Sequence, residues 1–151
     1  MVVKKSTTSA DALKLDNQLC FALYAASRAM TAAYRPLLEA LGLTYPQYLV
    51  MMVLWETGGS TVKDLGAALR LDSGTLSPLL KRLESTGFVE RRRSAEDERI
   101  VEVVPTEAGR ALKRQALAVP HEMACRARLN ERQIAALREE LRRLERTLSE
   151  G

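Results

Sequence analysis

The first long stretch of the chain alternates apolar and polar positions with helical spacing. Apolar residues recur every three or four positions: Leu19, Leu23, Ala26, Met30, Ala33, Leu37 and Leu41. A second row lies beside the first: Cys20, Tyr24, Ser27, Tyr34 and Leu38. Two adjacent apolar rows are typical of a helix that is buried over a wide face. The pattern runs from Leu13 to Leu41 and predicts one long helix within this stretch.

The ends of this first helix are predicted from capping residues. Asp16 or Asn17 is expected to cap its beginning, which places Cys20 in the first turn. Pro36 is expected to kink it, and Gly42 to end it.

Three shorter helices are predicted next. Pro46 begins the first, which ends before Gly58 and Gly59. Ser60 or Thr61 caps the second, Val62–Leu69. After a tight turn at positions 70–73, the third runs to Thr86, and its inward-facing residues are Leu76, Leu79, Leu80 and Leu83.

The second half of the chain adds a hairpin and three more helical segments. Phe88–Arg92 and Arg99–Val104 are predicted strands on either side of a charged tip, residues 94–98. Helix is expected from Thr106 to about Pro120 and again from His121 to Leu129. Asn130 caps a last helix, Glu131–Ser149, whose apolar face is Ile134, Leu137, Leu141, Leu144 and Leu148. The fold class is mainly α with a small β-hairpin, as in a winged helix.

Composition narrows the protein class. The chain has 151 residues, 46% hydrophobic and 28% charged, which fits one globular domain. Two cysteines 105 positions apart do not form a secreted disulfide framework. No apolar run approaches the ~20 residues of a membrane span, and no signal-peptide core is visible. We therefore expect a cytoplasmic protein with reduced thiols and no membrane partner. The net charge of +4 is compatible with nucleic-acid binding.

Residues 61–104 have the order helix, tight turn, helix, hairpin, which is typical of a DNA-reading unit. Small polar residues begin the second helix, and basic residues follow on it and on the hairpin. The candidate DNA-binding residues are Asp72, Ser73, Thr75, Ser77, Lys81, Arg82 and Arg91. A surface helix with a solvated run of charges is the alternative for any one of them.

The stretch 71–109 resembles the winged helix-turn-helix of MarR-type transcription regulators. The signature reads Asp97-Glu98-Arg99 followed by Thr106-Glu107-Ala108-Gly109. The resemblance implies that Arg99 enters the minor groove and that Asp97 holds the wing turn. Pro105 stands where the family usually has leucine, and we expect it only to shorten the strand.

The resemblance also implies a homodimer on a pseudo-palindromic double-stranded DNA operator. Residues 13–41 and 106–149 would form the helical dimerisation region, and residues 46–104 the DNA-binding domain. The apolar faces of the first and last helices suit that division.

The residues around Cys20 leave two interpretations open. A free cysteine is often a small buried hydrophobe. A first-turn cysteine also lies at the positive end of a helix dipole, which favours the thiolate. Tyr24, Tyr34 and Tyr45 lie near in sequence, and phenols can donate hydrogen bonds to a thiolate.

The cysteine segment resembles the organic-hydroperoxide-resistance subfamily of MarR-type regulators. The matching motifs are Asn-Gln-Leu-Cys-Phe-Ala-Leu-Tyr at 17–24, Tyr-Arg-Pro-Leu-Leu at 34–38 and Tyr-Pro-Gln-Tyr at 45–48. The resemblance implies that Cys20 is the peroxidatic sensor, hydrogen-bonded by Tyr34 and Tyr45 of the other subunit. It also implies that Cys125 is the resolving cysteine of the other subunit. A buried core thiol is the alternative for Cys125.

The predicted function is a transcriptional repressor that organic hydroperoxides release from DNA. Oxidation of Cys20 would lead to an intersubunit disulfide with Cys125. A repressor released by a small aromatic ligand and a thiol peroxidase are the alternatives. No cofactor, metal ion or catalytic site is predicted, since His121 and Cys125 are too few ligands for zinc.

Overall fold

The computed structural model describes residues 10–151. Two single 3-10 turns, Asp11–Leu13 and Leu15–Asn17, precede helix α1, Leu19–Glu39. The apolar pattern that starts at Leu13 therefore begins before the helix itself, in the two 3-10 turns.

Side-chain amides account for the interrupted start. Asn17 Nδ2 donates to the Asp11 carbonyl at 2.8 Å, and Gln18 Nε2 donates to the Ala12 and Lys14 carbonyls at 2.6 and 2.9 Å. The extended backbone of Gln18, rather than Asp16 or Asn17, stands at the N-cap position of α1. Cys20 lies in the first turn, as predicted.

The helix-turn-helix follows the predicted order. Helix α2 is Tyr45–Thr57, α3 is Val62–Leu69 and α4 is Ser73–Ser85. Each follows a side chain that accepts the backbone N–H of the residue three positions on: Thr44, Thr61 and Asp72. Between α3 and α4 the backbone approaches closely, because a Cβ on Gly66 would lie 2.8 Å from the Leu71 carbonyl oxygen.

A three-stranded antiparallel sheet forms the wing. Its strands are β1, Ser60–Thr61, β2, Val89–Arg93, and β3, Val101–Pro105, in the order β1-β3-β2. The sequence did not predict β1. The expected shortening at Pro105 is wrong, since this residue pairs with Val89 as the last position of β3. Proline has no backbone N–H, so at the end of β3 the sheet lacks only one hydrogen-bond donor.

Three helices complete the chain: α5, Glu107–Ala116, α6, Val119–Ala127, and α7, Glu131–Ser149. The break predicted at Pro120 falls instead at positions 117–118. Pro120 lies in the first turn of α6, where its missing N–H has no helical partner to lose. Helix α7 has the predicted bounds and a capping box of Asn130 and Gln133.

The core lies between α2, the helices α3 and α4 of the helix-turn-helix, and the sheet. Its largest fully buried side chains are Leu38, Met51, Leu54, Leu65, Leu76, Leu80, Leu83, Val50, Val89 and Val103. Helix α5 is fastened to it by Trp55, whose Nε1 donates to the Gly109 carbonyl at 2.8 Å. A Cβ on Gly109 would lie 2.1 Å from the Phe88 carbonyl oxygen, so only glycine fits there.

The single chain leaves two apolar surfaces uncovered. Helix α7 has no buried residue. The large exposed apolar side chains include Leu13, Leu15, Leu19, Phe21, Tyr24 and Met30 at the N-terminal side, and Leu137, Leu141 and Leu148 on α7. Among residues 10–151, no helix combines the length and apolar character that crossing a membrane requires.

Candidate DNA-binding and thiol sites

A cleft of about 790 Å³ separates the start of α4 from the wing. Four predicted DNA-binding residues line it: Ser73, Ser77, Arg91 and Arg99. Hydroxyls from the helix thus face guanidinium groups from the hairpin. This pairing of small donors and cations suits contact with bases and phosphates.

Asp72 is the cap of α4. Its Oδ1 accepts the Thr75 N–H at 2.7 Å, and the hydrogen bonds from Thr75 lower the pKa of the carboxyl below its ordinary value. The side chain therefore stays ionised at neutral pH and orients the first turn of α4. Direct DNA contact by Asp72 or Thr75 stays a prediction.

The wing turn is organised around Asp97. Its Oδ1 accepts the backbone N–H and the Nε–H of Arg99 at 3.0 and 3.1 Å, and its Oδ2 accepts from Nη2 at 3.2 Å. These bonds, first those of the Arg99 side chain, lower the pKa of Asp97. Arg99 is 90% exposed and is held at the wing tip in a defined orientation.

Arg91 is hydrogen-bonded to helix α4. Its backbone N–H donates to Glu84 Oε2 at 3.0 Å, and its guanidinium meets both carboxylate oxygens of Glu84 at 3.3 Å. The side-chain hydrogen bond from Arg91 lowers the pKa of Glu84. Arg91 therefore sets the wing against α4 as well as lining the cleft.

The remaining candidates on α4 do not share one surface. Lys81 is exposed. Arg82 lines a different groove, together with Glu39, Thr44 and Gln47. The structure thus brings Ser73, Ser77, Arg91 and Arg99 together and leaves Arg82 on the side of α4 that faces α2.

Cys20 is free and exposed at the beginning of α1. The buried-thiol interpretation therefore does not hold within one chain. Its neighbours Leu19 and Phe21 are 61% and 39% exposed. One turn on, Tyr24 lies under the guanidinium of Arg28, whose carbon is 5.4 Å from the ring centroid. Cys20 thus stands on an apolar surface that this chain alone leaves open.

Tyr34 and Tyr45 form an aromatic cluster with Tyr48. Ring centroids of Tyr34 and Tyr45 are 4.9 Å apart, and Tyr48 lies 6.0 and 6.4 Å from them. Burial raises the pKa of all three phenols, which therefore remain hydrogen-bond donors at neutral pH. Cys20 and Tyr34 are separated by about 21 Å along α1, from the rise of a helix. One chain does not bring them together.

Cys125 lies on the exposed side of α6, so the buried-thiol interpretation does not hold for it within one chain either. Its Sγ lies 3.7 Å from Nε2 of His121. Among residues 10–151, no three His, Cys, Asp or Glu side chains form a group that could hold a metal ion.

Two partners in these sites were missed by the sequence interpretation. Glu84, which holds Arg91, is not among the predicted residues, and a contact between a helix residue and a strand residue seven positions on has no sequence signature. Tyr48 belongs to the Tyr-Pro-Gln-Tyr motif at 45–48, and its three-residue spacing from Tyr45 places both rings on one side of a helix.

Comparison with known proteins identifies the family. A family model described as transcriptional regulator SarA/Rot matches residues 32–116, more than half of the chain. The chain belongs to the SarA/Rot family of transcriptional regulators. This SarA/Rot regulator is also 56% identical, over 110 residues, to the organic hydroperoxide resistance transcriptional regulator of Bacillus subtilis strain 168. That match covers 73% of this chain and 75% of the relative.

Solved structures agree with this assignment. Reduced AbfR bound to DNA, a protein of Staphylococcus epidermidis, has 34% identity and a TM-score of 0.77, covering 95% of this chain and 98% of AbfR. Its disulfide form has 35% identity and a TM-score of 0.60, covering 93% and 94%. A MarR variant from E. coli complexed with operator DNA has 25% identity and a TM-score of 0.73, covering 83% and 92%.

The winged-helix fold and the organic-hydroperoxide-type resemblance are thus confirmed. The family and fold of this SarA/Rot regulator are those of DNA-binding transcription regulators rather than enzymes, which removes the thiol-peroxidase alternative.

Proposed function

We propose that the protein is a homodimeric repressor whose Cys20 senses organic hydroperoxides. On oxidation, Cys20 forms a disulfide with Cys125 of the partner subunit, and the dimer leaves its pseudo-palindromic operator. The dimer occupies the DNA through Ser73, Ser77, Arg91 and Arg99, with Lys81 at the phosphates.

One observation carries the proposal. Cys20 is exposed on an uncovered apolar surface, while Tyr34 lies about 21 Å farther along α1. Tyr45, in the first turn of α2, lies against the ring of Tyr34. A second subunit packed against α1 completes the thiol site by supplying those phenols. Such donors stabilise a thiolate without adding charge.

The relatives support the same function. The B. subtilis relative is named for organic hydroperoxide resistance, and AbfR has been solved both reduced on DNA and as a disulfide. The present structure is more similar to the reduced, DNA-bound AbfR than to the disulfide form, with TM-scores of 0.77 and 0.60.

The chemistry proceeds in two balanced steps. The Cys20 thiolate attacks the terminal peroxide oxygen, the O–O bond breaks, and an alcohol leaves after taking a proton. The Cys125 thiol then displaces water from the Cys20 sulfenic acid and forms the S–S bond. A disulfide needs its two Cα atoms within about 7 Å. If the reduced thiols lie farther apart than this across the interface, closing the bond shifts the helices there and moves the two DNA-binding domains away from their operator spacing.

A non-reducing denaturing gel combined with an operator gel shift tests the proposal. About one equivalent of an organic hydroperoxide should give a band at twice the monomer mass and abolish the shift. Cys20→Ser and Cys125→Ser should each lack the band, and thiol should reverse it. DNA binding that survives peroxide, with Cys20 oxidation verified by mass spectrometry, contradicts the proposal.

A ligand-released repressor is the second candidate. A pocket of about 460 Å³ lies between α1 and α2 and is lined by Arg35, Leu38 and Tyr45. An aromatic carboxylate could stack on the phenol and pair with the guanidinium. In that case Cys20→Ser would still release DNA when the inducer is added.

A further inference from the structure

His121 and Cys125 form a thiol–imidazole pair on α6. They are four residues apart, and Sγ lies 3.7 Å from Nε2. Val119 and Met123 bury the opposite side of the helix, which directs the pair outward. His121 is the only histidine in the sequence. The pair is therefore presented at the surface by a helix whose other side is fixed in the core.

The two ends of α6 also fix where the thiol and the imidazole lie. Pro120 sits in the first turn of α6, and Arg128 ends it with a left-handed backbone, φ 53°. Helix α6 packs on α1, the helix that carries Cys20. The imidazole is thus positioned at the thiol before any partner sulfur arrives.

We propose that His121 is the general base that activates Cys125 for disulfide formation. This inference rests on the proposed function, since it assumes that Cys125 is the resolving thiol. Nε2 takes the proton from the Cys125 thiol as the thiolate attacks Sγ of the Cys20 sulfenic acid. The S–O bond breaks, the S–S bond forms, and the imidazolium returns its proton to the departing hydroxide as water.

The benefit of such a base is a kinetic one. A sulfenic acid that meets a second hydroperoxide becomes a sulfinic acid, which ordinary thiols do not reduce. Only the thiolate attacks, and an ordinary thiol is only a few per cent ionised at pH 7. A base at Cys125 therefore directs each oxidation event to the reversible disulfide.

Stopped-flow kinetics on full-length dimers tests the assignment, with cumene hydroperoxide as the oxidant. Sulfenic acid formation is followed by dimedone capture in the Cys125→Ser background, and His121→Ala should leave its rate unchanged. Disulfide formation in His121→Ala should slow about tenfold, because a few per cent of an unassisted thiol is ionised at pH 7. Added imidazole should restore that rate, since the pair is exposed.

Two further variants separate proton transfer from packing. His121→Gln keeps a hydrogen-bond donor but has no basic nitrogen, so it should remain as slow as His121→Ala. Glu122→Gln, an exposed change on the same helix, should behave as the wild type. Full activity of His121→Gln, or an unchanged disulfide rate in His121→Ala, overturns the assignment.

A second measurement distinguishes this inference from the proposed function. In the Cys20→Ser background, iodoacetamide alkylates Cys125 alone. His121→Ala should slow that alkylation about tenfold at pH 7, for the same reason. An equal alkylation rate overturns the role of His121 even if the disulfide forms. A slowed rate without any disulfide in the wild type supports the base and removes the two-cysteine proposal.

Discussion

Arg70, in the turn between α3 and α4, forms an ion pair with Glu145, near the end of α7. The two residues are 75 positions apart in the chain. A second guanidinium nitrogen of Arg70 donates to the Ala68 carbonyl at 2.9 Å. The last helix is thereby connected to the turn that sets α4 against α3.

Glu145→Gln should weaken operator binding by up to about fivefold, the equivalent of an exposed ion pair. Loss of a negative charge from the protein would by itself strengthen binding to DNA, so a weaker affinity would indicate that Glu145 acts by positioning α4. Glu140→Gln is the matched control, because Glu140 pairs with Arg143 inside α7. Fluorescence anisotropy with labelled operator measures both, and equal affinities for the two variants would contradict the expectation.

Arg99→Ala should weaken operator binding about tenfold and reduce the salt slope by about one. Its guanidinium is exposed and held at the wing tip, so its loss removes a contact without disturbing the core. Arg138→Ala, on exposed α7, serves as the control for net charge. Anisotropy titrations at several salt concentrations would give both quantities, and an unchanged slope would argue against phosphate or groove contact.

Acid should release the wing turn only well below neutral pH. Hydrogen bonds from Arg99 lower the pKa of Asp97 in the folded chain. Their contribution to folding stability is therefore fully present above the ordinary aspartate pKa of about 3.9. It is lost as the pH falls through the lowered pKa of the folded chain. The Arg99 amide resonance should therefore stay constant from pH 8 to about pH 5. Asp97→Asn should shift it at every pH, and a midpoint near neutrality would refute this view.

Tyr34→Phe and Tyr45→Phe should each slow the reaction of Cys20 with peroxide about tenfold, since a hydrogen bond to a charged group is worth about 1.5–3 kcal/mol. Tyr48→Phe is the control, because it keeps the cluster and is not expected to reach the thiolate. Competition kinetics with a thiol-reactive dye measures all three. Identical rates for the three variants would show that the cluster only packs.

The same phenols affect stability at high pH. Burial raises the pKa of Tyr34, Tyr45 and Tyr48. Their contribution to folding stability is therefore fully present below the ordinary tyrosine pKa of about 10, and it is lost as the pH rises through the raised pKa of the folded chain. Absorbance at 295 nm should show these phenolates appearing late, together with unfolding.

Gly109→Ala should destabilise the fold by at least about 2 kcal/mol, because the new Cβ would clash with the Phe88 carbonyl and force α5 to move. Gly74→Ala is the control: a Cβ there meets only Asp72 Oδ1, at 3.4 Å. Urea unfolding should leave that variant within about 1 kcal/mol of the wild type.

Local signals account for what the sequence predicted well. Helix α7 and the starts of α3 and α4 each carry a capping side chain at short range, and the structure uses Thr61, Asp72 and Asn130 as caps. The predictions failed where residues far apart in the chain determine the local structure. Strand β1 exists because Ser60 pairs with Val103, and two residues alone carry no strand pattern.

The candidate sites divide in the same way. The wing turn was predictable because Asp97 and Arg99 are two residues apart. The Arg91–Glu84 contact depends on how β2 crosses α4, which periodicity does not encode. Within one chain Cys20 and Tyr34 lie about 21 Å apart along α1, and no pattern in a single sequence specifies a contact between two copies of the chain.

A 19-residue helix without a single buried side chain draws little stability from its own chain. If a partner covers α7, helix content becomes a measure of protein concentration, since folding and association are then one equilibrium. Dilution would lower helicity together with DNA occupancy. At low protein concentration, α7 and the occupancy of DNA would thus be lost together, while the core around α2 would remain within each chain.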